Sequence, residues 1–293
     1  MKYARVSSAK GHFSGFSKTA FILLMFVLAS LNGVGLYWIN RPGVAEFNAE
    51  ANTQFSAKNY QEAINIYDRA IDLAPGLKEL YRNRAMAYLA MGNYNKAIAD
   101  FTKALDGNSG DSDSLQARAY AYLYSERYRQ AIGDIDQLLQ NQKENPYLYN
   151  LKSVAYAYND QFPQALTDLN TALKLSSDPA FVFNRGVTYM KVLNFEGALE
   201  DFSTYIKQRP SESKGLLFRA NTYLALKSYP QALADLESFL SANPPQEGIA
   251  QALYTKGLVL VKLNRKQDAI TAFSEACAKP HPEACAMSDA LDK

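Results

Sequence analysis

Histidine is scarce in this chain: two in 293 residues, His12 and His281, far apart in sequence. Neither a His-based nucleophilic triad nor an HExxH zinc site can be built from them. No GxxxxGK[ST] or GxGxxG stretch is present, so the common phosphate-cradling loops are missing as well. Net charge is only +2 and no basic field is clustered, which removes the electrostatic footing for nucleic-acid binding. Asn-x-Ser/Thr sequons are absent, which leans against a eukaryotic secretory protein. The acids fall on repeating surfaces without a second domain to form a cleft. These absences point away from an enzyme, and no cofactor, metal or small-molecule substrate is expected.

What the chain does hold is a repeat. The stretch Tyr81–Leu105 reads as one helical hairpin: Ala85 and Tyr88 share a face of a first helix, Gly92-Asn93 breaks it, and Ala97, Phe101 and Ala104 recur at helical spacing on a second. The second-helix alanine returns at Ala63, Ala97, Ala131, Ala165, Ala198, Ala232 and Ala269, a period of about 34 residues. First helices carry a small residue at the matching place: Ala51, Ala85, Ala119, Ser153, Gly186, Ala220 and Gly257. One aromatic column reads Gln54, Tyr88, Tyr122, Tyr156, Tyr189, Tyr223 and Leu260; another reads Tyr60, Tyr94, Tyr128, Phe162, Phe195, Tyr229 and Lys266. The end copies deviate, as capping repeats with one stacked neighbour do.

This pattern resembles the tetratricopeptide repeat over roughly Val44 to Lys279. The resemblance implies an all-α fold: a right-handed superhelical α-solenoid of about seven hairpins and a C-terminal capping helix, here preceded by one transmembrane helix. The expected layout is a basic amino terminus at 1–18, a signal-anchor helix at 19–39, a linker at 40–43, a solenoid at 44–279 and a capping helix at 282–293. The hairpins fall at about 44–77, 78–111, 112–145, 146–178, 179–212, 213–249 and 250–281. No linker divides them, so one elongated domain is expected.

The anchor is read from charge and hydropathy. Lys2, Arg5, Lys10 and Lys18 stand in the first 18 residues without an acid, and Thr19–Ile39 is almost wholly apolar, interrupted by Asn32. About 21 residues at 1.5 Å rise span roughly 30 Å, the hydrocarbon thickness, with Tyr37 and Trp38 at an interface. The alternative is a cleaved signal peptide with Val27 and Ala29 at the cleavage site. Basic residues before the span keep the amino terminus cytoplasmic and place the repeats outside, in a bacterium the periplasmic side of the inner membrane. A mitochondrial outer-membrane import receptor, with the same anchor but cytosolic repeats, is the competing reading.

First helices also present a basic row: Arg84, Arg118, Lys152, Arg185 and Arg219. Each of those hairpins carries an acid on its second helix, at Asp100, Asp134, Asp168, Asp201 and Asp235, whereas the first hairpin has Glu50 and Ile66 and lacks both. Matched presence and absence reads as structural ion pairing rather than ligand binding. In the last hairpin Lys256 faces Ala272 and is left for other duty.

In tetratricopeptide proteins first helices line the concave face, so the resemblance implies a groove there. Off-column positions supply Gln116, Tyr120, Tyr124, Tyr147, Asn150, Tyr158, Phe183, Val187, Met190 and Asn221, an aromatic, neutral face suited to a protein or peptide partner. Packing between helices is the alternative duty for each. Asn48, Asn52 and Arg82-Asn83 match only part of the carboxylate clamp of chaperone-binding relatives, and that activity is not carried over. Cys277 and Cys285 have the spacing of cysteine-containing Sel1-like repeats, which implies a disulfide, favourable outside the cytosol. His281 between them leaves a Cys-His-Cys metal site open, without an evident fourth ligand.

Overall fold

The computed structural model describes residues 43–107, 110–242, 244, 246–279 and 281–292. Among them the chain forms fifteen helices and no strand. They are α1 (Val44–Ser56), α2 (Tyr60–Leu73), α3 (Lys78–Ala90), α4 (Tyr94–Leu105), α5 (Ser112–Tyr124), α6 (Tyr128–Asn141), α7 (Pro146–Tyr158) and α8 (Phe162–Leu175). After these come α9 (Pro179–Lys191), α10 (Phe195–Gln208), α11 (Lys214–Ala225), α12 (Tyr229–Ser241), α13 (Gln246–Lys262), α14 (Lys266–Cys277) and α15 (Pro282–Asp292). Contacts group into two compact units, ending at Asp168 and starting at Leu169, so the division falls inside α8. Sequence offers no linker there. In the first, α1 to α7 pack in chain order; in the second, α9 to α15 do the same.

No helix among the described residues is long and apolar enough to cross a membrane. The expected anchor at Thr19–Ile39 lies outside the described residues.

Why each hairpin turns is visible in the backbone. The residue after the break takes a left-handed φ in all seven: Lys58, Gly92, Glu126, Asp160, Leu193, Lys227 and Asn264. One residue separates it from the second helix, and the amide of that residue closes back onto the first helix, as in Asn93 N to Tyr88 O (2.8 Å), Arg127 N to Tyr122 O (2.8 Å) and Gln161 N to Tyr156 O (2.8 Å). That six-to-one bond satisfies a terminal carbonyl and fixes the turn even where the residue is not glycine. Pro146 and Pro179 open α7 and α9, where proline loses no helical hydrogen bond, and the Asn145 and Asp178 side chains accept from Tyr147 N and Ala180 N.

Small residues let the helices of a hairpin approach. Ala51, Ala85, Ala119 and Ala220 are fully buried, Ser153 nearly so. Where the column is glycine the approach is closest: a Cβ on Gly186 would lie 2.8 Å from Phe202 Cε1, and one on Gly257 2.6 Å from Phe273 Cε1. Against this column each second helix sets a fully buried residue, Tyr67, Phe101, Ile135, Leu169, Phe202, Leu236 and Phe273. Burying such side chains contributes roughly 1.5 to 3 kcal/mol each.

At the carboxyl end α15 lies on α14. Ala284 is buried with Leu253 and Ala276, Met287 and Leu291 reach the neighbouring core, and Ser274 and Ser288 share a 2.8 Å hydrogen bond. Cys277 and Cys285 are joined, with Cα atoms 4.8 Å apart. Reduction should loosen this end by about 2 to 3 kcal/mol, since the constraint on the unfolded chain is lost. Hydrogen exchange in dithiothreitol should then speed up in α15 while α9 to α12 stay protected.

Candidate functional site

The basic row has one geometry in four hairpins. Arg118 donates from Nε to Asp134 Oδ2 (2.8 Å) and from Nη2 to Asp134 Oδ1 (2.7 Å). Arg84 with Asp100, Arg185 with Asp201 and Arg219 with Asp235 do the same at 2.7 to 2.9 Å. Each carboxylate is buried. Above the pair sits the tyrosine one turn on: Arg84 over Tyr88, Arg118 over Tyr122, Arg185 over Tyr189 and Arg219 over Tyr223, 5.7 to 6.0 Å from guanidinium carbon to ring centre.

A second contact was not legible in sequence. The remaining guanidinium nitrogen reaches back to the second helix of the preceding hairpin: Arg84 Nη1 to Asp68 (2.5 Å), Arg118 Nη1 to Thr102 (3.1 Å), Arg185 Nη1 to Asn170 (2.8 Å) and Arg219 Nη1 to Ser203 (3.1 Å). Lys152 donates to Asp136 (3.1 Å), and Lys256 lies 3.6 Å from Glu237. Lys256 is therefore not left over, as its unmatched Ala272 had suggested; it keeps the link to the previous hairpin. The row ties the second to sixth hairpins internally and links the second to seventh each to its predecessor.

Lys152 is the weak rung. An ammonium cannot present the two parallel donors of a guanidinium, and Lys152 Nζ stands 3.5 Å from Asp168 Oδ2. Burial holds the Asp168 carboxyl up, to about 6, against the opposing pull of Lys152. The folded state then binds this proton more tightly than the unfolded chain. Asp168 therefore favours folding when protonated, and that contribution is lost as pH rises through about 6. Lys152→Arg should weaken this dependence: urea unfolding should show the variant more stable than the parent at neutral pH, with the gap narrowing as the medium is acidified.

The expected groove residues separate into surface and core. In the first unit Tyr124, Tyr147 and Tyr158 are exposed at 46%, 45% and 41%. Gln116 and Asn150 are half-buried, as is Tyr120, whose phenol burial pushes up. Tyr124 stacks on Tyr94 (centroids 5.3 Å, planes 15° apart) and Tyr158 on Tyr128 (5.6 Å, 10°). In the second unit Met190 and Asn221 are half-buried, and Asn221 Oδ1 lies 3.5 Å from Thr255 Oγ1.

Phe183 and Val187 do not line a surface. Phe183 is 0% exposed, inside a ring cluster with Phe202 (5.7 Å), Tyr205 (5.0 Å) and Phe218 (4.9 Å), and Val187 is buried beside it on α9. The reason is Tyr205, which stands where the second and fourth hairpins have Ala104 and Ala172, and draws the ring inward. Gly215 was the available signal: a Cβ there would lie 2.8 Å from Tyr205 Cδ1.

Further along, His281 stacks on Tyr254 with centroids 4.3 Å apart. Among the described residues no three His, Cys, Asp or Glu side chains gather as a metal site would require.

Tetratricopeptide repeat profiles match residues 52–121, 117–178, 183–247 and 217–284. The chain belongs to the tetratricopeptide repeat family. Its similarity to curated proteins is local: mouse serine/threonine-protein phosphatase 5 is 48% identical over 44 residues, 15% of this chain and 9% of the phosphatase, so the chain spans less than a tenth of that relative. Among solved structures, a tetratricopeptide repeat protein from Parabacteroides merdae superposes with a TM-score of 0.70 at 17% identity, covering 86% of this chain and all of that one. The C-terminal part of a repeat protein from Cytophaga hutchinsonii gives 0.63 at 17% identity, with 81% and 97% covered. At such identities the likeness speaks for the fold alone.

Proposed function

We propose that this tetratricopeptide chain is a non-catalytic, membrane-anchored scaffold that docks a partner protein or peptide on its first-helix face. The observation that carries the docking reading is the set Tyr124, Tyr147 and Tyr158: large apolar rings left at 41 to 46% exposure on first helices whose neighbours are packed away. The amides of Gln116 and Asn150 beside them supply hydrogen bonds for a peptide backbone. Asn221 and Met190 offer the same mixture in the second unit. Sequence supports the anchor at Thr19–Ile39 and repeats on the extracytoplasmic side, where the scaffold would serve assembly of an envelope complex.

Two measurements test this. A Tyr147→Ala/Tyr158→Ala variant should keep helical content and cooperative melting while losing the partner recovered from membranes by chemical crosslinking; normal recovery would move docking off this face. A reporter joined after Lys293 should be active outside the cytosol, with the protein resisting alkaline extraction; activity only in the cytosol would favour the import-receptor topology.

A further inference from the structure

Contacts in the second unit run antiparallel from helix to helix: Arg185 pairs with Asp201, Phe202 with Phe218 (5.6 Å), Arg219 with Asp235 and Lys256 with Glu237. The first helices α9, α11 and α13 are therefore parallel, and Asn221 and Thr255, 34 residues apart, meet across α11 and α13. Their carboxyl ends, and the hairpin turns that follow, fall along one edge. Each of these three turns carries a leucine: Val192-Leu193, Leu226-Lys227 and Leu263-Asn264. The hairpin turns of the first unit, at 57–59, 91–93, 125–127 and 159–161, carry none.

Leu193 is the most exposed large apolar side chain among the described residues, at 70%, with Val192 beside it at 39%. Its φ is 61°, a left-handed conformation that glycine or asparagine adopts with less strain. Neither core packing nor the turn itself selects leucine there. Cations flank these leucines in sequence: Lys191, Lys227, Lys262 and Lys266 are exposed and pair with no acid among the described residues. The acids beside the turns are Glu196 and Asp268, and Arg265 Nε donates to the second at 2.6 Å. A lysine in a last helical turn complements the helix dipole, which accounts for Lys191 and Lys262. It does not account for Lys227, beyond the end of α11, or for Lys266, which opens α14.

We infer that this turn edge of the second unit rests on an anionic lipid bilayer. Leu193 and Val192 lead into the headgroup boundary, with Leu226 and Leu263 behind them, and the lysines meet lipid phosphates. A protein surface would need a matching pocket at each of three separate turns; the acyl layer needs none. The proposed anchor at Thr19–Ile39 keeps the chain beside such a bilayer. The inference draws on that anchored part of the proposed function and uses none of its docking residues.

The test uses the full chain in vesicles of phosphatidylcholine, alone or in equal mixture with phosphatidylglycerol, whose brominated acyl chains quench tryptophan. Trp38→Phe removes the one native tryptophan, and Val192→Trp then reports on the edge. In the mixture its emission should shift to the blue and be quenched; in phosphatidylcholine alone, or at high salt, it should not. Lys191→Gln/Lys227→Gln/Lys262→Gln should lower the ratio of seated to lifted edge about a hundredfold, at about fivefold per lysine, abolishing the quenching with unchanged melting. Ser211→Trp, in the exposed loop between α10 and α11 at the opposite edge, should stay unquenched in both vesicles.

No quenching at position 192 in the mixture, equal quenching in the two lipids, quenching that survives the lysine variant, or equal quenching at position 211 would overturn the inference. So would a dimer that the lysine variant dissolves, which would assign the edge to a second copy. A protein adduct instead of a lipid adduct from a photo-crosslinker at position 193 in membranes would assign it to an acidic partner, with the same consequence. Release of the chain by alkaline washing would end the anchor reading alone, and salt-reversible quenching at position 192 would still uphold the edge.

Discussion

Phe183→Ala is expected to lower unfolding free energy by about 3 to 5 kcal/mol, measured by urea denaturation, because it empties a site walled by rings. Phe202, Tyr205 and Phe218 surround it, and the Lys214 ammonium lies 4.9 Å from its centre, so the site cannot easily collapse. Tyr158→Ala makes the contrast, since its ring stands on the surface with one stacked face: the expected loss is about 1 kcal/mol or less. If the two variants instead lose equal stability, the division between core and docking residues drawn above is wrong.

The second large effect belongs to the basic row. Arg118→Ala should cost about 3 kcal/mol, because the buried Asp134 loses both of its guanidinium hydrogen bonds and keeps its desolvated charge. Removing the acid as well should restore most of the loss: Arg118→Met/Asp134→Leu replaces the pair with apolar side chains of similar bulk. Thermal melting of the three proteins decides the matter. A row that served a ligand would leave Arg118→Ala stable and its partner lost.

The row also shows where sequence reading reaches and where it stops. The cation and its acid on the same hairpin recur at fixed spacing and are absent together in the first copy, so their pairing could be read as covariation inside one chain. The backward link could not. Its acceptors are Asp68, Thr102, Asp136, Asn170, Ser203 and Glu237, whose side chains share an acceptor oxygen but no residue type, and a search for one recurring letter passes over them. Turns were legible only at Gly92, because the left-handed conformation elsewhere is imposed by the closing hydrogen bond and tolerated by Lys58, Glu126 or Leu193. Phe183 was placed on the surface by its register. That register holds for Gln116 and Asn150, whose amides stay near water, and fails where Tyr205 supplies an aromatic partner below.

Docking by first helices is tested most directly by photo-crosslinking in intact cells, with benzoylphenylalanine placed singly at positions 124, 147 and 158 and, for comparison, at the exposed second-helix positions Gln130 and Gln140. The account predicts one adduct of common mass from the three first-helix positions and none from α6. Adducts from α6 alone would contradict it.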